Sequence, residues 1–391
     1  MFESKNKYTI FKEKLYDCKF KESQLMKTKL NLSSILLLLF PLFFISCSPR
    51  LKKEIAVESV LYPAAPSVAK IQYLTSISNS LQITKKQTSL QKTVVGEKKG
   101  MPIYKPYGVF IRNGKLYICD ISLGGLEIID LENKDFQYFV PQGVNSLKMA
   151  INVFVDLDNT RYIVDADLHR VVIFDESGKY QTAFGFDENT KPTGVFVYKT
   201  EIFVVDSENH RVNVYDKQDK SFKFYFPKSN PGDDNFLYKP TNLTVENDKV
   251  YVSDLGAGDV KIYSLNGKYL RKIGQYGRNI GDFVRPKGVA VDREENLYVV
   301  DASFENIQIF NKEGKLLMFF GGHYEGAGGM WLPTSVVIDY DNLAYFEKYV
   351  DPKYKLEYLI IVANQFGPDK VNIYGRINPI VEKADVGKNK N

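Results

Sequence analysis

Three sets of side chains in this 391-residue chain recur at spacings that bear on chemistry. Asp120, Asp165, Asp206, Asp254 and Asp301 each end a short apolar run. Gathered in space, they would make a carboxylate ring for cations; taken singly, each would accept hydrogen bonds from the turn that follows it. Lys105, Lys191, Lys239 and Arg285 stand immediately before prolines, and Tyr107, Thr193, Thr241, Lys287 and Thr334 immediately after them. Cations and hydroxyls in one array suit an anionic ligand such as an acidic glycan, a phosphate or a protein carboxylate. The plainer alternative is solvated loop lysines, or ion pairs with the nearby Asp residues. His169 and His210 precede Arg170 and Arg211 in matching slots, and His323 lies in the Gly-rich stretch 321–329. A zinc ion would need three such ligands within about 2.0–2.2 Å. Repetition of the histidine slot argues for a structural role instead, so these three are weak metal candidates and no metal is expected.

The Asp residues come as punctuation of a repeat. The segments Leu116–Asp120, Tyr162–Asp165, Ile202–Asp206, Val250–Asp254 and Leu297–Asp301 are near copies, and Leu359–Asn364 is a worn sixth with Asn for Asp. Successive terminal residues are 45, 41, 48, 47 and then 63 positions apart. Upstream of each lies a run that opens on proline in five copies, such as Lys191-Pro-Thr-Gly-Val195; the second copy reads Met149-Ala-Ile-Asn152 instead. Downstream come a third run (Arg211–Tyr215, Asn306–Phe310) and, after a Gly or Asp turn, a fourth (Lys315–Phe320). The runs are rich in β-branched and aromatic residues and are bounded by Gly, Asn and Asp, which marks strands and turns. Four strands every 40–50 residues predict four-stranded antiparallel propeller blades.

The pattern Pro-x-Gly-Val, then Leu-Tyr-Val-x-Asp, then Arg-Val-x-Val resembles the NHL repeat, over residues 105 to 376. More narrowly, the chain resembles exported bacterial six-bladed NHL-type lipoproteins, on the segments Tyr62–Pro66, Ile71–Leu74 and Asn364–Pro368. The resemblance implies an all-β, six-bladed β-propeller across residues 68–376. The sixth unit has no fourth strand before the polar tail 377–391. Residues 68–79 read as the strand that completes it, because an open ring would expose two strand edges. The long step of 63 residues reflects an insertion at 340–357, read as a capping loop, a short helix or a lid. Insertions within repeats gather on one face and often build binding surface.

The N-terminus reads as a targeting segment. Lys27 and Lys29 precede an apolar run from Leu30 to Ile45 that ends in Phe44-Ile-Ser-Cys47. This is short for a membrane span and fits a signal peptide over 26–46. It resembles a bacterial lipoprotein signal, which implies a lipid on Cys47, a tether over 47–67 and a place in the bacterial cell envelope on its periplasmic or outer surface. Residues 1–25 lie upstream of Met26 and read as a non-native extension. Removal of residues 1–46 takes away eight Lys and four acids, so the net charge falls from +5 to +1 and a nucleic-acid partner loses its main support. Of three cysteines, only Cys119 lies in the repeats, as a small core residue with no disulfide partner.

These features give a monomeric, membrane-anchored binding or scaffold protein without a cofactor, using its loop face for a protein or an anionic glycan. The alternative is a propeller lyase or hydrolase with a metal-dependent site at the channel mouth. No residue set in the sequence forms a recognisable catalytic motif.

Overall fold

The structure, a computed structural model, describes residues 59–380. Its strands form six antiparallel sheets. The first strands of the six are Pro106–Arg112, Ala150–Val155, Pro192–Tyr198, Pro240–Glu246, Pro286–Val291 and Pro333–Asp339. The second strands are Lys115–Asp120, Arg161–Asp165, Glu201–Asp206, Lys249–Asp254, Leu297–Asp301 and Tyr354–Asn364. In sheets one to five the third and fourth strands follow in sequence order, so each is a meander. Every first strand touches the first strands on both sides, including that of sheet six with that of sheet one. The sheets are therefore blades of a closed six-bladed β-propeller, with the first strands innermost around an axial channel.

Closure follows the sequence reading. Ile71–Ile77 pairs antiparallel with Val371–Pro379 and supplies the fourth strand of blade six. Two details differ. Leu61–Tyr62, inside the expected tether, pairs with Ile71 and Gln72 and gives blade six a fifth strand. The last strand also runs to Pro379, with Ile377 buried, past the expected limit at 376. The segments 1–25 and 26–46, and Cys47, lie outside the described residues, as does the tail beyond residue 380.

The insertion between the first and second strands of blade six is packed down. It forms two short 3-10 turns, Leu343–Tyr345 and Glu347–Tyr349, and its Phe346 is buried against Leu343 and Tyr345. The Tyr349 carbonyl accepts a hydrogen bond from Gln72 Nε2 of the closing strand at 2.9 Å. The strand Tyr354–Asn364 absorbs the end of the expected insertion. One α-helix, Ser89–Val95, was not legible as a periodic run; its apolar side chains are exposed, and a Thr88–Gln91 capping box defines its start.

Local chemistry sets the strand ends. Asn113-Gly114 and Asn247-Asp248 join first to second strands with both residues at positive φ, as a type I′ hairpin requires. Between blades the apolar faces interlock. Between blades five and six, for example, Ile71, Tyr298, Phe320, Tyr358 and Tyr374 share one buried cluster. Each such side chain contributes roughly 1.5–3 kcal/mol through burial.

Candidate functional site

The propeller has two ends. At one lie the starts of the first strands and the turns after the second strands, which makes it the end of the prolines, the basic residues and the histidines. The other carries the turns between first and second strands and the blade-six insertion.

At the basic end the strand-end Asp residues are architectural. All five are buried. Asp254 accepts from the backbone N–H groups of Tyr238 and Lys239, both at 2.7 Å, and from Gly256 and Ala257 in its own turn at 3.0 and 3.2 Å. Asp120 does the same for Tyr104, Lys105, Ser122 and Leu123, and Asp301 for Val284, Arg285, Ser303 and Phe304. In these three blades the carboxylate latches the start of a first strand to the turn after the second. The acceptor sites face N–H donors rather than a shared cation. The basic side chains that reach these carboxylates lie in the third strands, Arg170 on Asp165, Arg211 on Asp206 and Lys261 on Asp254, rather than at the pre-proline positions.

The histidine slot is a second latch. His169 and His210 hold left-handed backbone (φ 50 and 55) just before their third strands, where Gly124 and Gly258 stand in blades one and four. His169 Nδ1 bonds the Thr190 carbonyl, and His210 Nδ1 lies 2.8 Å from the Tyr238 carbonyl, each at the start of the next blade. Glu305 fills the slot in blade five, accepting from Leu332 N at 2.8 Å and pairing with His323, which packs edge-on to Trp331. The three histidines thus serve three separate junctions. Among the described residues no group of three or more His, Cys, Asp or Glu is placed to hold a metal ion. Cys119 is buried, and burial pushes its thiol pKa well up, as for a packed core residue.

The post-proline position is where candidate residues meet. In blade order it holds Tyr107, Ile151, Thr193, Thr241, Lys287 and Thr334. Lys287 Nζ lies 4.8 Å from the centre of the Tyr107 ring and 3.5 Å from its hydroxyl, joining blade five to blade one past blade six. Lys287 is only 7% exposed, and among the described residues the one charged group near enough to shift it is another cation, Arg285, with no carboxylate paired to it. Burial, then the charge of nearby Arg285, lowers its pKa to about 8. Burial raises that of Tyr107, and Arg285 opposes the rise. Thr334 donates to the Tyr107 carbonyl at 2.7 Å, and Thr241 bonds Ser253 Oγ at 2.9 Å. The Thr193 hydroxyl is buried with no partner. Of the outer residues, Lys105 lies over Phe366 (5.1 Å), whereas Lys191 is surrounded by the acidic Asp167, Glu188 and Glu208 in a shallow polar depression. Lys239 is exposed. The structure therefore brings together Tyr107, Lys287 and Arg285 and leaves Lys105, Lys191 and Lys239 spread around the mouth.

Sequence reasoning missed the cavity at the other end. About 460 Å³ of space opens there on the axis, walled by Val109, Val195, Val289 and their neighbours and bounded on one side by Tyr340 and Asp341 of the insertion. Arg293 stacks on Tyr340 at 3.9 Å, and Glu246 stands close enough to feel its charge. Burial raises the Glu246 pKa. Next to the post-proline ring lies a waist of Gly108, Asn152, Gly194, Asn242, Gly288 and Ser335, which alternates glycine with a polar residue around the blades. The signal was present in the motifs as departures from Pro-x-Gly.

These features define a closed propeller with a basic mouth, a polar waist and a cup at the insertion end. A family model described as "6-bladed beta-propeller" (DUF5128) matches residues 230–373. Among curated proteins, the chain is 32% identical over 111 residues to Protein brain tumor of Drosophila melanogaster, a match covering 28% of this chain. The chain spans about a tenth of that relative's length, the covered share being 10%. Among solved structures it is similar to a protein of unknown function from Bacteroides thetaiotaomicron, with TM-score 0.55 and 14% identity over 79% of this chain and 76% of that one. A streptogramin B lyase structure aligns with TM-score 0.50 and 10% identity, over 71% of this chain and 95% of that one. At these identities the structural likenesses show the fold alone.

Proposed function

We propose that this chain is an NHL-type lipoprotein of the bacterial cell envelope, anchored through Cys47, that binds rather than transforms its partner, and that its basic mouth receives an anionic group on an acidic glycan or a protein. A β-propeller supports a binding or scaffold role in general. The observation that carries the finer reading is Lys287: a buried ammonium with no carboxylate partner, beside Arg285 and Tyr107. An uncompensated buried cation is costly, and a bound anion relieves that cost. The arrangement offers a charge and hydroxyls to such an anion.

The test is an acidic-glycan array probed with the wild type, the triple variant Lys191→Ala/Lys239→Ala/Arg285→Ala and Lys287→Met. Binding should be lost in the triple variant with little change in melting temperature. The Lys287 cation exists below its pKa of about 8 and is lost above it. Wild-type affinity should therefore fall as pH rises through 8, and the Met variant should be weak and flat across that range. Equal binding by all three proteins removes the reading. Cys47→Ala, in parallel, should move the protein out of the membrane fraction.

A further inference from the structure

The helix Ser89–Val95 is a part of the structure that the propeller does not account for. None of its residues is buried, and Leu90, Val94 and Val95 are 75%, 75% and 78% exposed. A helix of seven residues gains little in water without a packed face. Its own polar contacts hold this one instead. Thr88 and Gln91 cap its start. The Gln87 side chain donates to the Gly96 carbonyl at 3.1 Å and accepts from Lys98 N at 2.7 Å, which ties the segment before the helix to the segment after it. The result is a closed knob that keeps Leu90, Val94 and Val95 in solvent.

The charge around the knob says what covers it. Residues 85–99 hold Lys85, Lys86, Lys92, Lys98 and Lys99 against a single acid, Glu97, which pairs with Lys92 at 2.9 Å. The other four lysines are exposed and flank the helix on both sides. Leu90 and Val94 stand at i and i+4 and share a face. Exposed apolar side chains between lysines suit a helix lying in the interface of an anionic bilayer, its apolar groups at the acyl boundary and its ammonium groups at the phosphates. The place of the knob in the fold agrees. The described chain enters at the outer edge of blade six, where Leu61–Tyr62 pairs with the strand Ile71–Ile77, and Ser89 follows the end of that strand by 12 positions (89−77). A lipid on Cys47 would be joined to this edge by a tether that spans at most about 40 Å. We propose that the knob docks on an anionic lipid surface, with Leu90, Val94 and Val95 in the interface and the flanking lysines on lipid phosphates. This deepens the envelope reading and rests on it only for the nearness of the membrane.

The test is amide hydrogen exchange of the full chain with excess vesicles, either phosphatidylglycerol and phosphatidylcholine in equal parts or phosphatidylcholine alone. Exchange in residues 89–95 should slow by about tenfold or more on the anionic vesicles and stay fast on the neutral ones, with the blade amides alike on both. Lys85→Gln/Lys86→Gln/Lys98→Gln/Lys99→Gln should abolish the slowing, since each lysine near an anionic surface strengthens binding by about fivefold. Leu90→Ser/Val94→Ser should abolish it as well. Neither variant should shift the melting temperature, because all the replaced side chains are exposed. Equal exchange on the two kinds of vesicle overturns the assignment, as does slowing that survives in either variant. Slowing without vesicles that grows with protein concentration would assign the knob to a second copy of the chain, and overturns it too. Cosedimentation with phosphatidylcholine vesicles reads the N-terminal anchor separately, so a failure of anchoring is distinguished from a failure of the knob to dock.

Discussion

Replacing Glu127 by Gln should stabilise this protein, increasingly so as pH rises. Glu127 sits in the third strand of blade one, fully buried, and neither carboxyl oxygen has a hydrogen-bond partner. In three other blades the corresponding side chain has a nitrogen that donates. Lys261 bonds Asp254 at 3.0 Å and Asp259 at 2.7 Å, Gln308 donates to the Asp282 carbonyl at 2.9 Å, and Asn372 to that of Gly329 at 2.8 Å. Burial, and then the neighbouring Asp120 carboxylate, raises the Glu127 pKa from 4.5 to about 10. The folded state therefore keeps a proton that the unfolded state has released above pH 4.5, and stability falls as pH rises through this window. At roughly 1.4 kcal/mol per pH unit the loss by pH 7 has a ceiling of about 3 kcal/mol, and relaxation around the site brings the expected value to about 1–3 kcal/mol. Gln keeps the shape, carries no titrating proton and can donate to Asp120. Urea unfolding of both proteins from pH 5 to 8 should give curves that nearly meet at pH 5 and diverge steadily above it. Parallel curves would refute the reasoning, since they would mean that Glu127 ionises alike in both states.

Three further outcomes follow from the architecture. Deleting residues 68–79 removes the outer strand of blade six, including buried Ile71 and Ile77, and should lower the melting temperature strongly; an unchanged melting curve would contradict closure by this strand. His169→Gly and His210→Gly each trade a hydrogen bond between blades for relief of left-handed backbone, two effects of roughly 1 kcal/mol each, so chemical denaturation should show changes within about 1 kcal/mol. A large loss in either variant would assign these histidines a heavier role. Gly108→Ala places a Cβ 2.6 Å from the Ile151 carbonyl oxygen and 3.0 Å from the Asn152 Cα, and should destabilise by about 1–3 kcal/mol in the same assay. Gly143→Ala, whose Cβ meets nothing within 4 Å, controls for the loss of glycine, although its φ of 70 adds backbone strain of its own.

The parts of this fold that were legible are those the chain repeats. The Asp that ends five second strands and the proline that opens five first strands mark two ends of one latch, so their spacing carries the blade and its period. Residues 68–79 were legible by subtraction, because a sixth unit without a fourth strand must borrow one. Leu61–Tyr62 was not, since two residues carry no period. The helix Ser89–Val95 was hidden because its apolar residues face solvent. The meeting of Tyr107 and Lys287 joins positions 180 residues apart. The repeat places both at the same level of the channel, but only ring closure makes them neighbours. The cup was missed for a related reason. Its walls are the first strands of blades one to six, and only their arrangement about an axis makes a cavity.

The alternating waist shows why departures from the repeat carry more than the repeat itself. The backbone edge of each innermost strand faces the channel, where no fifth strand can satisfy its N–H groups. Asn152 and Ser335 meet this need for Val195 and Val109 of the following blades. Glycine on the odd blades does the opposite work. A Cβ at Gly108, Gly194 or Gly288 would lie 2.6, 3.2 or 2.7 Å from an atom of the next blade, so these blades approach their neighbours closely. Glycine in every blade would leave Val195 and Val109 without acceptors. A polar residue in every blade would collide with the next strand at three positions. Alternation resolves both constraints, and gives a six-bladed ring a three-fold floor that faces the cup.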